Sequence, residues 1–509
     1  MTAILWRLGL AAACAMLALT PVSVCAQTPA PAADATGADH LRALEQRIDR
    51  LAESLAAAQN QVEEDRRKMQ SMQTEIDDLR KAVGEGGSGN ASPAVVNAAA
   101  QLQGAVAQIR EEQDVLAAQV KQQDQTKVES GSKLPVHLHG LVLFNAFVNE
   151  GVVDQPDLPT AALLATPGQS HGSVGGGLRQ TMLTLTGDGP ALWNGRLFAD
   201  VTFDFFGGVS NSSGSPAGIV RMRTAGITWA AQNDLVRAGF DAPLISPRSP
   251  VSYATVAQPS LAWSGNLWIW APQLKWEHRF PVSDAKQVGV ELGLYDASYT
   301  ALDSLSSYRY VSPGEAARQP GYESRLSYSA GRDAHALQLG AGGYYDRKNF
   351  GAGQTVDAWA GTGDWLLPLT SHWNWSGEFY RGRGIGSLGG GAYRDAYNYV
   401  PSPGGTTETS GLDSIGGWTQ SQWNLAQTMQ FNAVFGQDTG YGGELRQSIT
   451  QANNALDYYA RNRTLMANFI FRPWSSFVFS PEFRRLNSWP IYGRVQTANV
   501  YSLSAGYEF

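Results

Sequence analysis

Cysteine is almost missing from this chain of 509 residues. There are two, Cys14 and Cys25, and both lie in a leader-like first segment. Residues 27–509 therefore hold no thiol for a disulfide or a Cys-bound metal. Long apolar runs are missing as well. Beyond the leader no stretch reaches the roughly 18 apolar residues that a transmembrane helix needs. Charge is scarce: Asp, Glu, Lys and Arg make up 16% of the chain, against about 25% in ordinary soluble domains. A net charge of −7 gives no electrostatic footprint for nucleic acid. The seven histidines are scattered singly, and none sits in a Ser/His/Asp spacing that would pair a nucleophile with a base. The reading is of a protein that is not an enzyme and needs no cofactor or metal.

What is present divides the chain in three. Arg7 precedes an apolar stretch from Leu8 to Leu19, and Val24-Cys25-Ala26 precedes Gln27. That order predicts a signal peptide over residues 1–26. A lipoprotein reading would make Cys25 the acylated residue, but Val24 is a poor residue before a lipidated cysteine. A linker follows over 27–38. Residues 39–83 then place Leu41, Leu44, Ile48, Leu51, Leu55, Ala58, Val62, Met69, Met72, Ile76, Leu79 and Val83 at alternating spacings of three and four. Asp65 occupies the one seam position that breaks the series. A strict 3.5-residue repeat predicts a coiled coil, roughly 65 Å long at about 1.5 Å per residue. Its mixed seam does not fix dimer against trimer. Residues 84–101, rich in Gly and Ser at their start, predict a flexible linker. A weaker heptad over 102–128 predicts a second short helix.

From residue 134 onward the period changes to two. The 55 glycines, 15 Trp, 19 Tyr and 18 Phe of the chain suit lipid-facing strands with aromatic girdles. In 196–205, Leu197, Ala199, Val201, Phe203 and Phe205 share one face and Arg196, Asp200, Thr202 and Asp204 the other. In 273–280, Leu274, Trp276, His278 and Phe280 oppose Gln273, Lys275, Glu277 and Arg279. In the last strand Tyr501, Leu503, Ala505, Tyr507 and Phe509 oppose Ser502, Ser504, Gly506 and Glu508. Such alternation is what a strand needs when its faces meet different solvents. Long connections near 150–177, 207–219, 241–271, 296–320, 346–355, 383–413, 437–460 and 487–496 alternate with short ones. The prediction is an all-β transmembrane barrel over 134–509 with about sixteen antiparallel strands. Both barrel ends then face the periplasm, where the coiled coil also sits.

A terminal Phe on such a strand resembles the C-terminal signature of bacterial outer-membrane barrels. An exported leader, a periplasmic coiled coil and a barrel ending in Phe together resemble the DcaP-like trimeric porins. Local matches are Val220-Arg221-Met222-Arg223-Thr224-Ala225, Ala467-Asn468-Phe469-Ile470-Phe471-Arg472-Pro473 and Phe483-Arg484-Arg485. The resemblance covers most of the chain after the leader and implies sixteen strands, a homotrimer and passive uptake of small, often anionic solutes. The phosphate-selective porins, more distant, share the coiled coil and an arginine-lined pore.

By parity, Arg196, Asp200, Asp204, Lys275, Glu277, Arg279 and Glu291 point into the lumen. Arg179, Arg221, Arg223 and Arg237 join them, because a guanidinium facing lipid near the midplane costs about 2–4 kcal/mol. The pore-lining set expected is Arg179, Arg196, Asp200, Asp204, Arg221, Arg223, Arg237, Lys275 and Glu291. The arginines form a cationic wall favouring anions, and Asp200 and Asp204 oppose it as a transverse field. The aromatic loop 241–271 can fold inward as a constriction, which is the reading favoured, latch over a neighbouring subunit, or lie in the outer interface. Trp276, Trp365, Trp373 and Trp375 are girdle residues, which weighs against a carbohydrate-selective channel. A structural tether, with the coiled coil engaging peptidoglycan and the barrel anchored in outer-membrane lipid, is the other alternative.

Overall fold

The computed structural model describes residues 135–207, 218–296, 311–331, 336–448 and 459–509. The expected signal peptide, the coiled coil at 39–83 and the helix at 102–128 lie outside the described residues. Two-faced strands dominate what is described. They are β1 (Val136–Glu150), β2 (Gly172–Gly177), β3 (Met182–Leu192), β4 (Gly195–Asp204), β5 (Arg221–Ala230), β6 (Asp234–Asp241), β7 (Ala271–Ser283) and β8 (Lys286–Tyr295). Then come β9 (Gly321–Ala330), β10 (Leu337–Asn349), β11 (Thr355–Pro368), β12 (Trp373–Arg383), β13 (Ala396–Tyr399) and β14 (Glu408–Gly411). The chain ends with β15 (Asp413–Ala426), β16 (Met429–Gly440), β17 (Tyr459–Trp474), β18 (Phe477–Pro490) and β19 (Gln496–Glu508).

All but β13 and β14, which pair only with each other, form one antiparallel sheet. β2 and β3 both pair with β1, Gly175 opposite Phe147 and Leu185 opposite Leu138. They are two halves of one stave, interrupted at 178–181. β19 returns to β1 with Glu508 opposite Leu141 and Asn499 opposite Glu150. Gly140 donates to the Phe509 carbonyl at 2.9 Å, and the Phe509 amide donates back at 3.1 Å. The sheet therefore closes as an antiparallel barrel of sixteen staves.

Alternation of burial separates two walls. On β18, Phe477, Phe479 and Phe483 are exposed outward, whereas Val478, Ser480, Glu482, Arg484 and Leu486 are buried within. Outward rings near the short-turn end stack in a row: Trp373 on Trp423 at 6.2 Å, Trp423 on Phe431 at 5.6 Å, Phe431 on Phe469 at 6.5 Å. Trp365 meets Trp375 edge-on at 5.7 Å. Near the other end Tyr322, Tyr345, Trp359, Tyr441 and Trp489 face outward. Two aromatic girdles bounding an apolar band are the mark of a bilayer-spanning barrel.

Three expectations about the connections differ from what is found. Gly172–Gly177 falls inside the expected loop 150–177 yet forms β2, because its backbone completes the pairing of β1 although its glycines carry no alternation. The connections expected near 346–355 and 487–496 shrink to 350–354 and 491–495, since the flanking strands extend past their last clear alternation. The loop expected over 383–413 contains the β13–β14 hairpin and two 3₁₀ turns. Leu326, in the middle of β9, is 57% exposed on the outer wall, and its neighbour Ser327 faces inward. We predict that Leu326→Arg lowers unfolding stability in lipid vesicles by about 2–4 kcal/mol. Ser327→Arg is expected to change it far less, as measured by urea titration.

Candidate functional site

The inner wall is mostly polar, with apolar patches around Tyr295, Tyr344 and Tyr380, and three long loops fold against it. Loop 242–270, between β6 and β7, follows the wall around most of its circumference. Its Leu244 amide donates to Glu323 at 3.0 Å, and Thr362 donates to the Ile245 carbonyl at 2.8 Å. Glu378 accepts the Ser246 hydroxyl and, at 2.7 Å, the Arg248 amide. The Arg248 guanidinium reaches Asp364 at 3.2 Å and Gln338 at 2.7 Å. Further on, Ser252 donates to Glu482 at 2.6 Å, and Asn468 donates to the Val251 carbonyl at 2.7 Å. Tyr253 donates to Glu508 at 2.7 Å and accepts from Arg472 at 2.6 Å. Burial, helped by the Glu508 carboxylate, pushes the Tyr253 phenol up to about 12, so it remains a donor at neutral pH. Buried polar atoms need such partners, and here wall and loop supply them to each other.

Two glycines make the close approach possible. A Cβ on Gly436, inward on β16, would sit 2.2 Å from the Leu261 side chain and 2.3 Å from the Ser264 carbonyl. Gly265 has φ +101°, and a Cβ there would lie 2.2 Å from the Gly417 carbonyl. Ser264 is then held by Thr464 at 2.8 Å and by Asn462 at 3.0 Å.

Loop 384–412 folds inward to meet the first. The buried Lys348 ammonium donates to the Gly384 carbonyl at 2.9 Å and to Ser387 at 2.6 Å, and it pairs with Asp395. Asp438 accepts the amides of Gly391 and Ala392 at 3.0 and 2.6 Å, together with the Tyr380 hydroxyl. The loops touch through Trp268, whose indole donates to the Tyr393 hydroxyl at 2.7 Å, and through Trp263, whose ring lies 4.1 Å from that of Tyr393. Leu261, Trp263, Ala392 and Tyr393 all have φ between +52° and +68°, each a strain of roughly 1–3 kcal/mol. Four strained residues at one contact mark it as a place where geometry is held against local preference. Loop 151–171 completes the constriction. Arg484 donates to the Pro159 carbonyl at 2.9 Å and Asn462 to that of Thr160 at 2.8 Å. Within it Asp154 accepts the Thr160 and Ala161 amides at 2.9 and 3.0 Å, and burial raises its carboxyl above the usual value.

The residues expected to line the pore can now be placed. Arg196, Asp200 and Asp204 lie on the inner face of β4. Arg221 and Arg223 project from β5 toward loop 242–270, Arg237 is inward on β6, Lys275 inward on β7, and Glu291 inward on β8. Arg179 sits in the break between β2 and β3. Their pairing differs from the expected wall and counter-wall. Arg221 binds Asp204 at 2.5 Å, and Arg237 binds Asp200 at 2.5 Å and Asp241 at 3.1 Å. Lys275 also reaches Asp241 at 3.5 Å, and Arg179 binds Asp157 at 2.6 Å. Asp204 thus sits beside Arg221 on the neighbouring stave, and Asp200 is reached by Arg237 across Gly226 of the stave between them; a carboxylate a few ångströms away gains more than one across a water-filled lumen. Glu291 belongs to another ladder: it pairs with Arg325, which reaches Asp364 at 2.9 Å.

Three arginines near the break carry aromatic partners that parity does not reveal. The Arg179 guanidinium lies 4.2 Å from the Phe206 ring centre. Arg221 and Arg223 lie 5.4 and 4.9 Å from that of Trp270. Arg223 hydrogen-bonds the Val256 carbonyl and has no carboxylate within ion-pair reach among the described residues. The cluster holds three guanidiniums against Asp157 and Asp204. Of the histidines, His278 lies on the outer wall, bonded to Asp234 at 2.7 Å.

No family model matches the chain, and no curated protein matches it. Solved structures do. The outer membrane channel DcaP of Acinetobacter baumannii is 16% identical with a TM-score of 0.55, the match covering 74% of this chain and 99% of that one. The anion-selective porin from Comamonas acidovorans is 10% identical with a TM-score of 0.48, covering 74% and 100%. Salmonella typhi OmpF in complex with daunomycin is 11% identical with a TM-score of 0.44, covering 75% and 99%. The chain has the barrel fold of an outer-membrane channel.

Glu378→Ala removes the acceptor of two buried loop donors, a local loss of about 1–3 kcal/mol per group. The expected outcome is a looser loop 242–270, seen in planar bilayers as larger current fluctuations and higher mean conductance. An unaltered single-channel trace would mean that Glu378 does not fix the constriction.

Proposed function

We propose that this protein is an outer-membrane porin, a passive channel for small hydrophilic solutes that favours anions. The observation that carries the reading is the pair of walls: an apolar outer wall between aromatic girdles, and an inner wall of paired charges and amides narrowed by loops 151–171, 242–270 and 384–412. A sixteen-strand barrel is wide enough for an aqueous path, and charged side chains at the narrowing set selectivity. The anion preference rests on the Arg179, Arg221 and Arg223 cluster, which exceeds its carboxylates by one charge. Arg223 contributes the surplus, and its guanidinium lies 4.9 Å from the Trp270 ring centre. A cation held at a constriction without a local carboxylate favours a passing anion over a cation.

We further propose a homotrimer. The outward faces of β1, β2 and β4 carry Val142, Ala146, Val148, Val174, Gly176, Ala199 and Val201 around the rings of Phe144 and Phe203, a mostly small and aliphatic surface. Such a surface suits close approach of another barrel. A coiled coil over 39–83 would hold three barrels at high effective concentration.

The channel is tested in planar bilayers under a salt gradient. The expected reversal potential indicates anion preference, and Arg221→Ala with Arg223→Ala moves it toward zero or toward cations. A cation preference that the double variant leaves unchanged would sink the anion reading, and the absence of conductance would sink the channel. For assembly, deletion of 39–83 is expected to lower the trimer fraction in native mass measurements while each barrel keeps its heat-modifiable gel mobility. An equal trimer fraction would show that the barrels assemble without the coiled coil.

A further inference from the structure

We propose that the outward face of β17 and β18 is a binding site for the phosphate groups of an anionic glycolipid in the outer leaflet. The inference rests on the outer-membrane reading above and adds a ligand on the lipid side of the wall.

Three arginines meet there. Arg461 and Arg463 alternate outward on β17, and Arg485 outward on β18. The register sets Arg461 opposite Trp489, Arg463 opposite Asn487 and Leu465 opposite Arg485. The three therefore occupy three successive rows on two adjacent staves. With about 6.6 Å between rows and about 4.8 Å between strands, one headgroup spans them. Their height is set by the same register. A strand rising about 3.3 Å per residue and tilted by about 40° gains roughly 2.5 Å of height per residue. Counted up from the girdle residue Phe477, the three rows lie about 20, 25 and 30 Å above it. The apolar band of such a barrel is about 25 Å tall. The rows thus straddle the upper edge of that band, where headgroup phosphates meet acyl chains.

These arginines differ from two others on the outer wall. Arg347 is paired with Asp357 at 2.7 Å and Arg381 with Asp413 at 3.2 Å. Among the described residues, none of Arg461, Arg463 and Arg485 has a carboxylate within ion-pair reach. The arrangement is nonetheless built. The Arg461 and Arg463 guanidiniums lie 5.6 and 5.0 Å from the Trp489 ring centre. Gln437 accepts from Arg463 at 2.9 and 2.6 Å, which fixes the plane of its fork. The Arg461 Nε is buried without a hydrogen-bond partner. Held forks with spare donors suit phosphate, which arginine binds through two parallel hydrogen bonds. Acyl chains offer such donors nothing. A second copy of the chain would have to bring carboxylates, whereas the protomer contact proposed above lies on β1 to β4.

The test uses the full chain in detergent free of bacterial lipid. Diphosphoryl lipid A is titrated, with binding read as bound copies in native mass spectra and as a rise in unfolding temperature. The expected result is at least a tenfold weaker binding by the triple variant Arg461→Gln, Arg463→Gln, Arg485→Gln. The single variant Arg485→Gln, at an exposed side chain, is expected to show a smaller loss in the same direction and guards against a folding defect. Arg347→Gln, from a paired site, should bind as the parent does. Unchanged affinity in both Arg485-containing variants overturns the proposal. So does equal stabilisation by phosphatidylcholine, which would make acyl chains the ligand, or by inorganic phosphate, which would make the lipid irrelevant. Loss of the oligomer with lipid A binding retained would assign the face to a second copy. Conductance of the triple variant in phosphatidylcholine bilayers is expected to match the parent, so a failure of lipid binding is not confused with a failure of the channel.

Discussion

A sheet that crosses a bilayer has no water to satisfy its edges, so it must close on itself. Every other feature of this molecule depends on that closure. β19 supplies it by pairing with β1 over ten residues, from Leu141 opposite Glu508 to Glu150 opposite Asn499, and the exchange between Gly140 and Phe509 locks its lower end. Once the seam is fixed, the register of all sixteen staves is fixed, and parity then decides which side chains meet lipid and which meet the lumen. A slip of one residue in β18 would turn Glu482 and Arg484 outward and Phe479 and Phe483 inward.

Closure creates a second constraint inside. A sixteen-stave barrel is too wide to be filled by its own side chains, so the polar inner wall needs partners from elsewhere. Water can supply some of them, and the loops supply the rest. Loop 242–270 brings mainly backbone amides, carbonyls and short hydroxyls, which match the carboxylates and amides of β9 to β19. This explains why Glu323 and Glu378 are buried without an ion partner among the described residues: backbone and hydroxyl donors of the loop satisfy part of each. The same loops also bury an apolar cluster: Leu244, Ile245 and Leu267 of loop 242–270 and Ile385 and Leu388 of loop 384–412 pack on Tyr295, Tyr344 and Tyr380 of the wall. Loop and wall are thus joined by polar atoms that would otherwise be hydrated and by apolar side chains that water would not satisfy.

How much of this was legible in the sequence follows from the range of the interactions. Alternation is local, so the faces of β4, β7 and β19 could be read from about ten residues each, and Arg196, Asp200 and Glu291 were placed on the inner side by parity alone. Gly172–Gly177 carries almost no side chains, so a stave half made of them leaves no period to read. The inward path of loop 242–270 was the favoured expectation, but the contacts that hold it, such as Ser246 with Glu378 and Ser252 with Glu482, were not legible. These join residues more than a hundred positions apart, and no local pattern encodes them. The partners of the arginines were illegible for a related reason. Parity fixes the wall a side chain belongs to, whereas stave order and register fix its neighbour, and Asp204 meets Arg221 only because a bulge between Thr202 and Phe203 shifts β4 against β5.

The pairing of Asp200 and Asp204 with neighbouring arginines changes what the lumen charge can do. A guanidinium tied bidentately to a carboxylate presents a dipole to a passing ion, and dipoles fall off faster with distance than charges. Most of the inner-wall ladder, from Asp200 through Arg237 and Asp241 to Lys275, therefore stiffens the barrel more than it selects. On the proposed porin reading, selection falls to the few groups whose charge is not cancelled locally. Arg223 is such a group, and its setting against Trp270 and the Val256 carbonyl keeps it at the loop rather than folded back on Asp204. The number of arginines in the first staves is thus a poor guide to selectivity. On that reading, the surplus over their paired carboxylates, and the place where that surplus sits relative to the constriction, is the quantity that governs which ions pass.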